Sequence, residues 1–346
     1  MNIEEFLREA AGKPGVTGME LPAAEFIADA FRPYVDEVHI TPLASVVARR
    51  KGKGPKVMLS AHLDEIGMMV SKIEEDGCLR MQSVGGVDPR VLPGMRVRVY
   101  GKKLLMGVVG ATPPHLLSAK DRQSNYNFQD TLFVDLGMPA EKVRKVVSVG
   151  DKVCFENRFT ELKNGRISMK TADDRACVAI MLKAAELLKD MKCDADVYFV
   201  ASCQEEIGCI GAWTTGYEVD PDYAVVLDVC HAHTPGASPA RTHEITDLVA
   251  TKGPFIHPFL RKKLDEVAKE QNIKIQKAIA TRGTGTDTDR LSIVRGGVPC
   301  VLLELPLKYM HTNVETFDMH ALTEGARLLA HYLRAIDDTW EEQLWN

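Results

Sequence analysis

The stretch Ala201-Ser202-Cys203-Gln204-Glu205-Glu206-Ile207-Gly208 is the part of the sequence on which the predicted fold depends. It continues the apolar run 197–201, which is typical of a buried strand, and Gly208 predicts the turn that follows. Carboxylates that follow a buried strand of an open α/β sheet lie in the crevice where such sheets bind ligands. Adjacent acids repel each other there unless a positive group compensates them, whereas on a surface loop Glu205 and Glu206 would be an ordinary solvated pair.

Strands and helices alternate on both sides of this stretch. Apolar residues recur every three or four positions in the predicted helices and form nearly continuous runs in the predicted strands. Continuous apolar strands are typical of a parallel sheet that is buried on both faces. We therefore predict an α/β fold with a mostly parallel sheet sandwiched by helices, built from strands near 45–48, 57–61, 196–201, 223–228 and 299–304 and from helices near 2–12, 20–31, 174–190, 211–217, 257–271 and 319–337.

Residues 69–162 follow a different pattern. Short alternating runs such as 95–100 recur between Gly and Pro turn signals, and no long helix is predicted. Alternation of this kind indicates strands that have one face in a small core. We predict a small all-β domain at 69–162, inserted into a larger domain that is formed by 1–68 and 163–346.

The composition argues against several classes of protein. The 346 residues allow two domains, and 45% hydrophobic with 26% charged residues is typical of an ordinary globular protein. A net charge of -5 argues against nucleic-acid binding, and no apolar run approaches the roughly 18 residues that span a bilayer. The eight cysteines are scattered without a Cys-x-x-Cys pair, which favours reduced thiols and a cytoplasmic location.

Histidines and acids form a set of candidate ligands at the ends of predicted elements: His62, Asp64, Asp173, Asp174, Glu205, Glu206, Asp228 and His311. Each has an ordinary structural interpretation, such as a core histidine at His62 or the start of a helix at the 173–174 pair. Their joint occurrence at one end of a sheet indicates a metal site instead. Imidazole nitrogen and carboxylate oxygen suit borderline metals such as zinc or cobalt, and a catalytic site leaves a position for water.

Six short motifs occur in an order and at a spacing that resemble a known family. They are Ala61-His62-Leu63-Asp64-Glu65-Ile66-Gly67, Asp173-Asp174-Arg175, Gln204-Glu205-Glu206-Ile207-Gly208, Asp228 with Thr234-Pro235-Gly236, Gly285-Thr286-Asp287, and Tyr309-Met310-His311. Through these motifs the chain resembles the glutamyl/tetrahedral aminopeptidase family of co-catalytic dimetal metallopeptidases, some members of which are labelled cellulase M. The resemblance covers nearly the whole chain and implies a zinc-exopeptidase-like sheet with an inserted β-barrel domain.

The resemblance implies a role for each candidate metal ligand. Asp173 would bridge two divalent ions. His62 and Asp228 would complete one site, and Glu206 and His311 would complete the other.

The catalytic roles are also implied by the resemblance. Glu205 would be the general base, and Asp64 would accept a hydrogen bond from the second ring nitrogen of His62. We expect Glu205 and Glu206 to turn to opposite sides, because successive residues of a strand alternate. The peptide bond after Asp173 is expected to be cis, as in the related peptidases.

The function that the resemblance implies is that of a metal-dependent aminopeptidase, which removes N-terminal residues from short peptides. Two divalent ions per subunit, zinc or cobalt with manganese as a third candidate, would polarise the scissile carbonyl and lower the pKa of a bound water toward about 7. The family also implies a homo-oligomer, commonly a dodecamer. In that assembly the 69–162 domain would serve oligomerisation or substrate access. The cytoplasmic location and the expectation of no nucleic-acid or membrane partner come from the cysteines, the charge and the apolar runs described above.

Two other functions remain open from the residues alone. Glycoside hydrolysis uses two carboxylates about 5 to 9.5 Å apart and no metal, and it would leave the histidines without a role. A metal-stabilised assembly protein without catalysis would leave Glu205 idle. Chelator sensitivity separates the peptidase from the glycosidase, and the activity of Glu205→Gln separates it from the assembly protein. Three further histidines are predicted to be structural or to line the pocket: His115, His231 and His233.

Overall fold

The computed structural model describes residues 2–119, 126–128, 131–337 and 339–344. Its helices are α1 (Ile3–Gly12), α2 (Leu21–Phe31), α3 (Ala140–Val146), α4 (Ala172–Leu188), α5 (Ile210–Val219), α6 (Pro258–Glu270), α7 (Thr288–Leu291), α8 (Met319–Ala335) and α9 (Trp340–Gln343). None of the helices in the described ranges is both long and apolar enough to cross a membrane.

The strands, in chain order, belong to two sheets and a barrel. They are β1 (Glu37–Ile40), β2 (Val46–Arg50), β3 (Lys56–His62), β4 (Gly67–Ile73), β5 (Leu79–Val84), β6 (Arg96–Tyr100), β7 (Leu104–Ala111), β8 (Leu132–Asp135), β9 (Lys152–Phe155), β10 (Thr160–Leu162), β11 (Arg166–Met169), β12 (Asp196–Ser202), β13 (Tyr223–His231), β14 (Leu248–Lys252), β15 (Ile275–Ile279), β16 (Cys300–Leu307) and β17 (Glu315–Asp318).

The main sheet has eight strands in the order β1-β2-β12-β3-β13-β16-β14-β15. The central strands β12, β3, β13 and β16 pair in parallel, as do β14 and β15, whereas β1, β2 and β14 join their inner neighbours antiparallel. The predicted α/β class is therefore confirmed, and its parallel part is the centre of a mixed sheet.

Both faces of the main sheet are covered by helices. Alternate residues of β3 show this arrangement. Leu59 and Ala61 belong to an apolar core shared with α4 and α8, and Met58 belongs to a second core shared with α5 and α7. Burial on both faces explains why the central strands are continuous apolar runs in the sequence.

Strands β4, β5, β8, β7, β6 and β9 close into an antiparallel barrel that is inserted between β3 and β10. Its own core contains Met68, Met81, Val97 and Val134. The barrel confirms the fold class expected for the insert, and its described part includes one short helix, α3. Residues 120–125 and 129–130, which the predicted 69–162 domain contains, lie outside the described residues.

A three-stranded sheet, β10-β11-β17, brings the segment before α8 next to the start of α4. The turn between β10 and β11 places Asn164 and Gly165 at φ angles of 64° and 69°, as the Asn-Gly pair predicts. Strand β11 then pairs with β17 so that Met169 lies opposite Glu315. Asp318 caps α8 by accepting a hydrogen bond from the backbone N–H of His320.

A buried ion cluster around Glu65 joins three segments of the chain. The Glu65 carboxylate accepts hydrogen bonds from the Lys170 ammonium at 2.7 Å and from the Gly15 backbone N–H at 3.0 Å, and the Arg175 guanidinium lies 3.9 Å away. Arg175 also donates to the carbonyl of Leu63 at 2.9 Å. The cluster therefore fixes the N-terminal segment, the link between β3 and β4, and the start of α4 to one another.

Glu65→Gln should destabilise the protein by about 3–5 kcal/mol, because it leaves two buried cations without their counter-charge. The side chains of Glu65 and Lys170 are each only 3% exposed, and that of Arg175 is 0% exposed. Urea unfolding followed by circular dichroism measures the loss.

Glu161→Gln is the matched control. Glu161 pairs with Arg8 at 2.5 Å, but these side chains are 61% and 50% exposed, so the same substitution should cost less than about 1 kcal/mol. Equal losses for the two variants would contradict the anchoring role of Glu65.

Candidate metal centre

His62 is the last residue of β3 and lies at the carboxyl end of the main sheet. Its Nε2 atom is 2.9 Å from Oδ1 of Asp173, and its backbone N–H donates to Asp174 at 3.2 Å. The side chain of His62 is only 2% exposed. A buried imidazole at a strand end that faces a carboxylate has the geometry of a metal ligand or of an ion pair, and the surrounding groups decide between the two.

The carboxylate of Asp173 lies close to both histidines of the site. Its Oδ2 atom lies 3.4 Å from Nε2 of His311, while Oδ1 faces His62. The peptide bond between Asp173 and Asp174 is cis, as expected. The Asp173 backbone N–H donates to Glu315 at 3.0 Å, and the His311 backbone N–H donates to the same carboxylate at 2.9 Å. Glu315 therefore fixes Asp173 and His311 relative to each other.

Glu205 and Glu206 do not continue the strand, so the expectation that strand alternation separates them is wrong. Strand β12 ends at Ser202, Gln204 has a φ of 55°, and the two acids open a single 3-10 turn, Glu205–Ile207. A turn of this type still separates the two carboxylates. Glu206 Oε1 lies 3.5 Å from His311 Nε2, and Glu205 Oε2 lies 3.9 Å from His62 Nε2.

Asp64 supports this turn as well as the histidine. Its carboxylate accepts hydrogen bonds from the backbone N–H groups of Glu205 at 3.0 Å and Glu206 at 3.3 Å, and from the hydroxyl of Thr17 at 2.7 Å. The expected contact with His62 is longer, at 3.5 Å from Nδ1, and Nδ1 is closer to the backbone carbonyl of Asp64, at 3.3 Å. The stronger interaction of Asp64 is thus with the backbone of the Glu205–Ile207 turn.

Two groups of donor atoms are close enough together to hold ions. One consists of His62, Asp174 and Asp228, the other of His62, Asp173 and Glu206, and the donor atoms of each group lie within 4.8 Å of one another. Oδ1 of Asp174 is buried without a hydrogen-bond partner. A nitrogen-and-oxygen donor set with an unsatisfied buried oxygen fits divalent ions of the zinc type.

The electrostatics of the site also favour a cation. Burial, together with repulsion from Asp173, raises the pKa of Glu206 to about 8, and burial raises the pKa of Glu205 to about 7 and that of Asp228 well above its ordinary value. The hydrogen bond to Asp173 raises the pKa of His311 to about 9. A bound cation would lower all these pKa values, because it favours the ionised carboxylates and the neutral imidazole.

Other residues of the site were not predicted. Glu315 gives no signal because it begins a short polar strand, and Gly86 belongs to the insert. The carbonyl oxygen of Gly86 lies 3.1 Å from Nδ1 of His311. Asp287, which occurs in one of the quoted motifs, accepts hydrogen bonds from Ser60 at 2.7 Å and Ser202 at 2.6 Å. Its serine partners are the kind of contact that a motif alone does not reveal.

A cavity of about 320 Å³ opens onto these groups. Its wall includes His62, Asp173, Glu205, Glu206 and Asp228 together with His311, and it continues along the ends of β13 and β16. His231 lines this cavity, whereas His115 and His233 are not among its lining residues. The site therefore has room for a substrate beside the candidate ligands.

The sequence and the structure of this chain are both similar to those of known peptidases. The sequence profile of M42 glutamyl aminopeptidase matches residues 44–328. A lysyl aminopeptidase of Pyrococcus furiosus is 36% identical over 97% of this chain and 99% of its own length. The crystal structure of a TET aminopeptidase from a marine sediment archaeon, Thaumarchaeota archaeon SCGC AB-539-E09, has a TM-score of 0.94 at 29% identity and covers 99% of this chain and 98% of that one. The TET1 peptidase of Pyrococcus horikoshii, which can assemble into a tetrahedron or a large octahedral shell, has a TM-score of 0.84 at 27% identity, over 97% of this chain and 100% of that one.

Asp173→Asn should remove most of the stabilisation by metal, because Asp173 faces both histidines. Protein stripped with EDTA and reloaded with zinc or cobalt should unfold at a higher temperature, by an amount equivalent to about 2.7 kcal/mol when the free metal is 100 times its Kd. Thermal unfolding and metal stoichiometry by mass spectrometry measure the effect in the two proteins.

Asp190→Asn is the control, since Asp190 is exposed near the end of α4. This variant should keep the full increment on reloading. An Asp173→Asn protein that binds as much metal as the parent, with the same gain in stability, would contradict the proposed centre.

Proposed function

Because the chain belongs to the M42 glutamyl aminopeptidase family, it is a metal-dependent aminopeptidase, and we propose that it removes N-terminal residues from short peptides with Glu205 as the general base. The position of Glu205 carries this proposal. Its carboxylate lines the cavity, is 11% exposed, and lies 3.9 Å from Nε2 of His62, at the edge of the candidate ligands. A carboxylate in that position can exchange a proton with a water held beside it.

The proposed ligands form two sites that share Asp173. His62 and Asp228 would hold one ion, and Glu206 and His311 would hold the other. The distances from Asp173 to both histidines and from His311 to Glu206 support the shared role of Asp173. Asp228 belongs with His62 and Asp174 to one of the two groups of donor atoms. Zinc or cobalt, with manganese as a third candidate, suits a set of imidazoles and carboxylates. Such ions, when bound, polarise a carbonyl oxygen and lower the pKa of water toward about 7.

The protein residues then move and hold protons around the scissile bond. Glu205 accepts a proton from the attacking water and returns it to the leaving amine. Asp64 positions Glu205 through the backbone N–H at 3.0 Å, and the thiol of Cys209 donates to the Glu205 carboxylate at 3.3 Å. The proposed role of Asp64 is therefore to orient the base as well as His62.

The family assignment argues against the two other functions considered from the sequence. Glycoside hydrolysis would need neither His62 nor His311, yet both contact Asp173. A non-catalytic assembly protein would have no use for a carboxylate such as Glu205 in the cavity. Peptide hydrolysis uses all of these groups.

We also propose that the chain forms a homo-oligomer, with the dodecamer as the expected state, and works in the cytoplasm. The assembly of the Pyrococcus horikoshii relative supports the first point. Exposed apolar side chains on β7 of the barrel, at Leu104, Met106 and Val108, support a role of the 69–162 domain in assembly or substrate access. All eight cysteines are free thiols, which supports a reducing compartment.

Glu205→Gln and Glu206→Gln should fail in different ways. Loss of proton transfer in Glu205→Gln should lower kcat by about 10²–10⁴-fold while metal content stays near that of the parent. Loss of a charged ligand in Glu206→Gln should lower metal occupancy first, and excess metal should restore part of the activity. Turnover of aminoacyl anilides and metal stoichiometry, measured at one metal concentration, separate the two effects.

Each of these variants is the control for the other, because the substitution is the same and the positions are adjacent. If Glu205→Gln loses metal and Glu206→Gln keeps it, the two roles are exchanged. Unchanged activity in both variants would show that the pair has no part in catalysis.

Light scattering in the presence of metal should give a mass near twelve chains. Met106→Glu should lower that mass, because it places a charge on the exposed strip of β7, where Met106 is 44% exposed. Leu21→Glu, at a position that is 51% exposed at the start of α2, is the control and should keep the assembly. A parent that remains a single chain with metal bound would contradict the proposed oligomer.

A further inference from the structure

The cavity extends beyond the groups to which catalysis has been assigned. If the scissile carbonyl lies among His62, Asp173 and Glu206, the side chain of the N-terminal residue must enter the remaining space. The wall of that space includes residues of the neighbouring strands β13 and β16 and of two loops: Val229, Cys230, His231, Thr284, Gly285, Thr286, Glu304 and Met310. The chemistry of this wall decides which N-terminal side chains fit.

Glu304 lies one strand away from a candidate metal ligand. It is the register partner of Asp228 in the parallel pair of β13 and β16, so the two side chains point to the same side of the sheet. Neighbouring strands are about 4.8 Å apart. The N-terminal residue of a substrate bound at the metal centre would therefore need a side chain only a few bonds long to reach the Glu304 carboxylate. The flexible four-carbon stem of lysine has such a length.

In the part of the chain that the structure describes, the Glu304 carboxylate has a single hydrogen-bond donor and no counter-charge. The hydroxyl of Thr251, on β14, donates to Oε2 of Glu304. Among the described residues, no Lys, Arg or His forms an ion pair with Glu304, in contrast to Glu65 with its two cations. The neighbours Leu303 and Leu305 are buried and apolar.

Burial raises the pKa of Glu304 to about 7, because desolvation disfavours the charged form of a carboxyl group. A cationic group beside the carboxylate would reverse this effect, because it favours the ionised form. An acidic side chain of the substrate would be repelled by the Glu304 carboxylate. A neutral apolar side chain would leave the buried carboxylate without a compensating charge.

We propose that Glu304 is the specificity residue for the N-terminal side chain and selects peptides that begin with Lys or Arg. The inference rests on the proposed aminopeptidase function and adds its substrate class. The ammonium or guanidinium supplies the counter-charge that none of the described residues provides, and the hydroxyl of Thr251 holds the carboxylate by a hydrogen bond.

The test compares two substrates that differ only in the terminal ammonium group of the N-terminal side chain. Anilides of lysine and norleucine share the same straight carbon chain, but norleucine lacks the ammonium group. The metal-loaded parent should have a higher kcat/KM for lysine than for norleucine. Glu304→Gln should lower that ratio by about 30-fold or more, as expected when one partner of a desolvated charge pair is neutralised. Its kcat/KM for the norleucine anilide should stay within about 3-fold of the parent value.

A charge reversal and a distant control complete the design. Glu304→Lys should invert the preference, so that the glutamyl anilide is cleaved better than the lysyl anilide. Glu270→Gln, at an exposed position at the end of α6, should leave every ratio unchanged.

Three results would overturn the inference. The first is a parent protein that does not prefer the lysine anilide to the norleucine anilide, which would overturn the inference before any variant is made. The second is an equal loss of kcat/KM for all anilides in Glu304→Gln, which would mean that Glu304 binds the α-ammonium group or supports catalysis instead. The third is an unchanged kcat/KM for all anilides in Glu304→Gln, which would mean that Glu304 has only a structural role. A metal-loaded parent that cleaves none of the anilides would overturn the proposed function itself, and this inference with it.

Discussion

Mutual repulsion among buried carboxylates constrains the catalytic end of the main sheet. Asp173, Glu206 and Asp228 lie close together with little access to water, and burial raises the pKa of the last two. The ion-pair contacts of these groups, within the described residues, go only to His62 and His311. Buried charges of one sign persist only if they are protonated or compensated by cations. Bound cations would therefore relieve this repulsion and keep the carboxylates ionised, which is the form that binds metal.

The supports of the site lie where the barrel joins the sheet. Asp64 and Glu65 are adjacent at the end of β3, but Asp64 binds the backbone of the Glu205–Ile207 turn while Glu65 binds Lys170. The barrel also contributes directly, since the carbonyl of Gly86 contacts His311, and a Cβ atom at Gly86 would lie 2.7 Å from that ring. Only glycine allows this approach. The position of a metal ligand candidate thus depends on how the insert sits against the main sheet.

Much of this arrangement was predictable, because the central strands are buried on both faces and are continuous apolar runs. The edge strands β1 and β15 were missed, since they are partly exposed and contain polar residues that interrupt their apolar runs. The turn at Glu205 was wrongly predicted as strand because Gln204, a residue without a turn signature, adopts a positive φ. The hydrogen bond from Asp173 to Glu315 joins segments more than 140 residues apart, and local sequence patterns carry no information about such a pair.

Glu304 is a carboxyl group in a strand that is otherwise apolar at the neighbouring positions, so its burial is unfavourable for stability. Its neighbours in β16 are leucines, and an apolar residue at the same position would avoid the cost of burying a carboxyl group. The cost falls on the empty cavity and is relieved when a cation enters. A lysine side chain in this cavity would be repelled by two divalent ions, and the Glu304 carboxylate offsets that repulsion. Selectivity for basic residues at this site therefore calls for an acid that is used neither as a metal ligand nor in catalysis, and among the described residues that line the cavity Glu304 is such an acid.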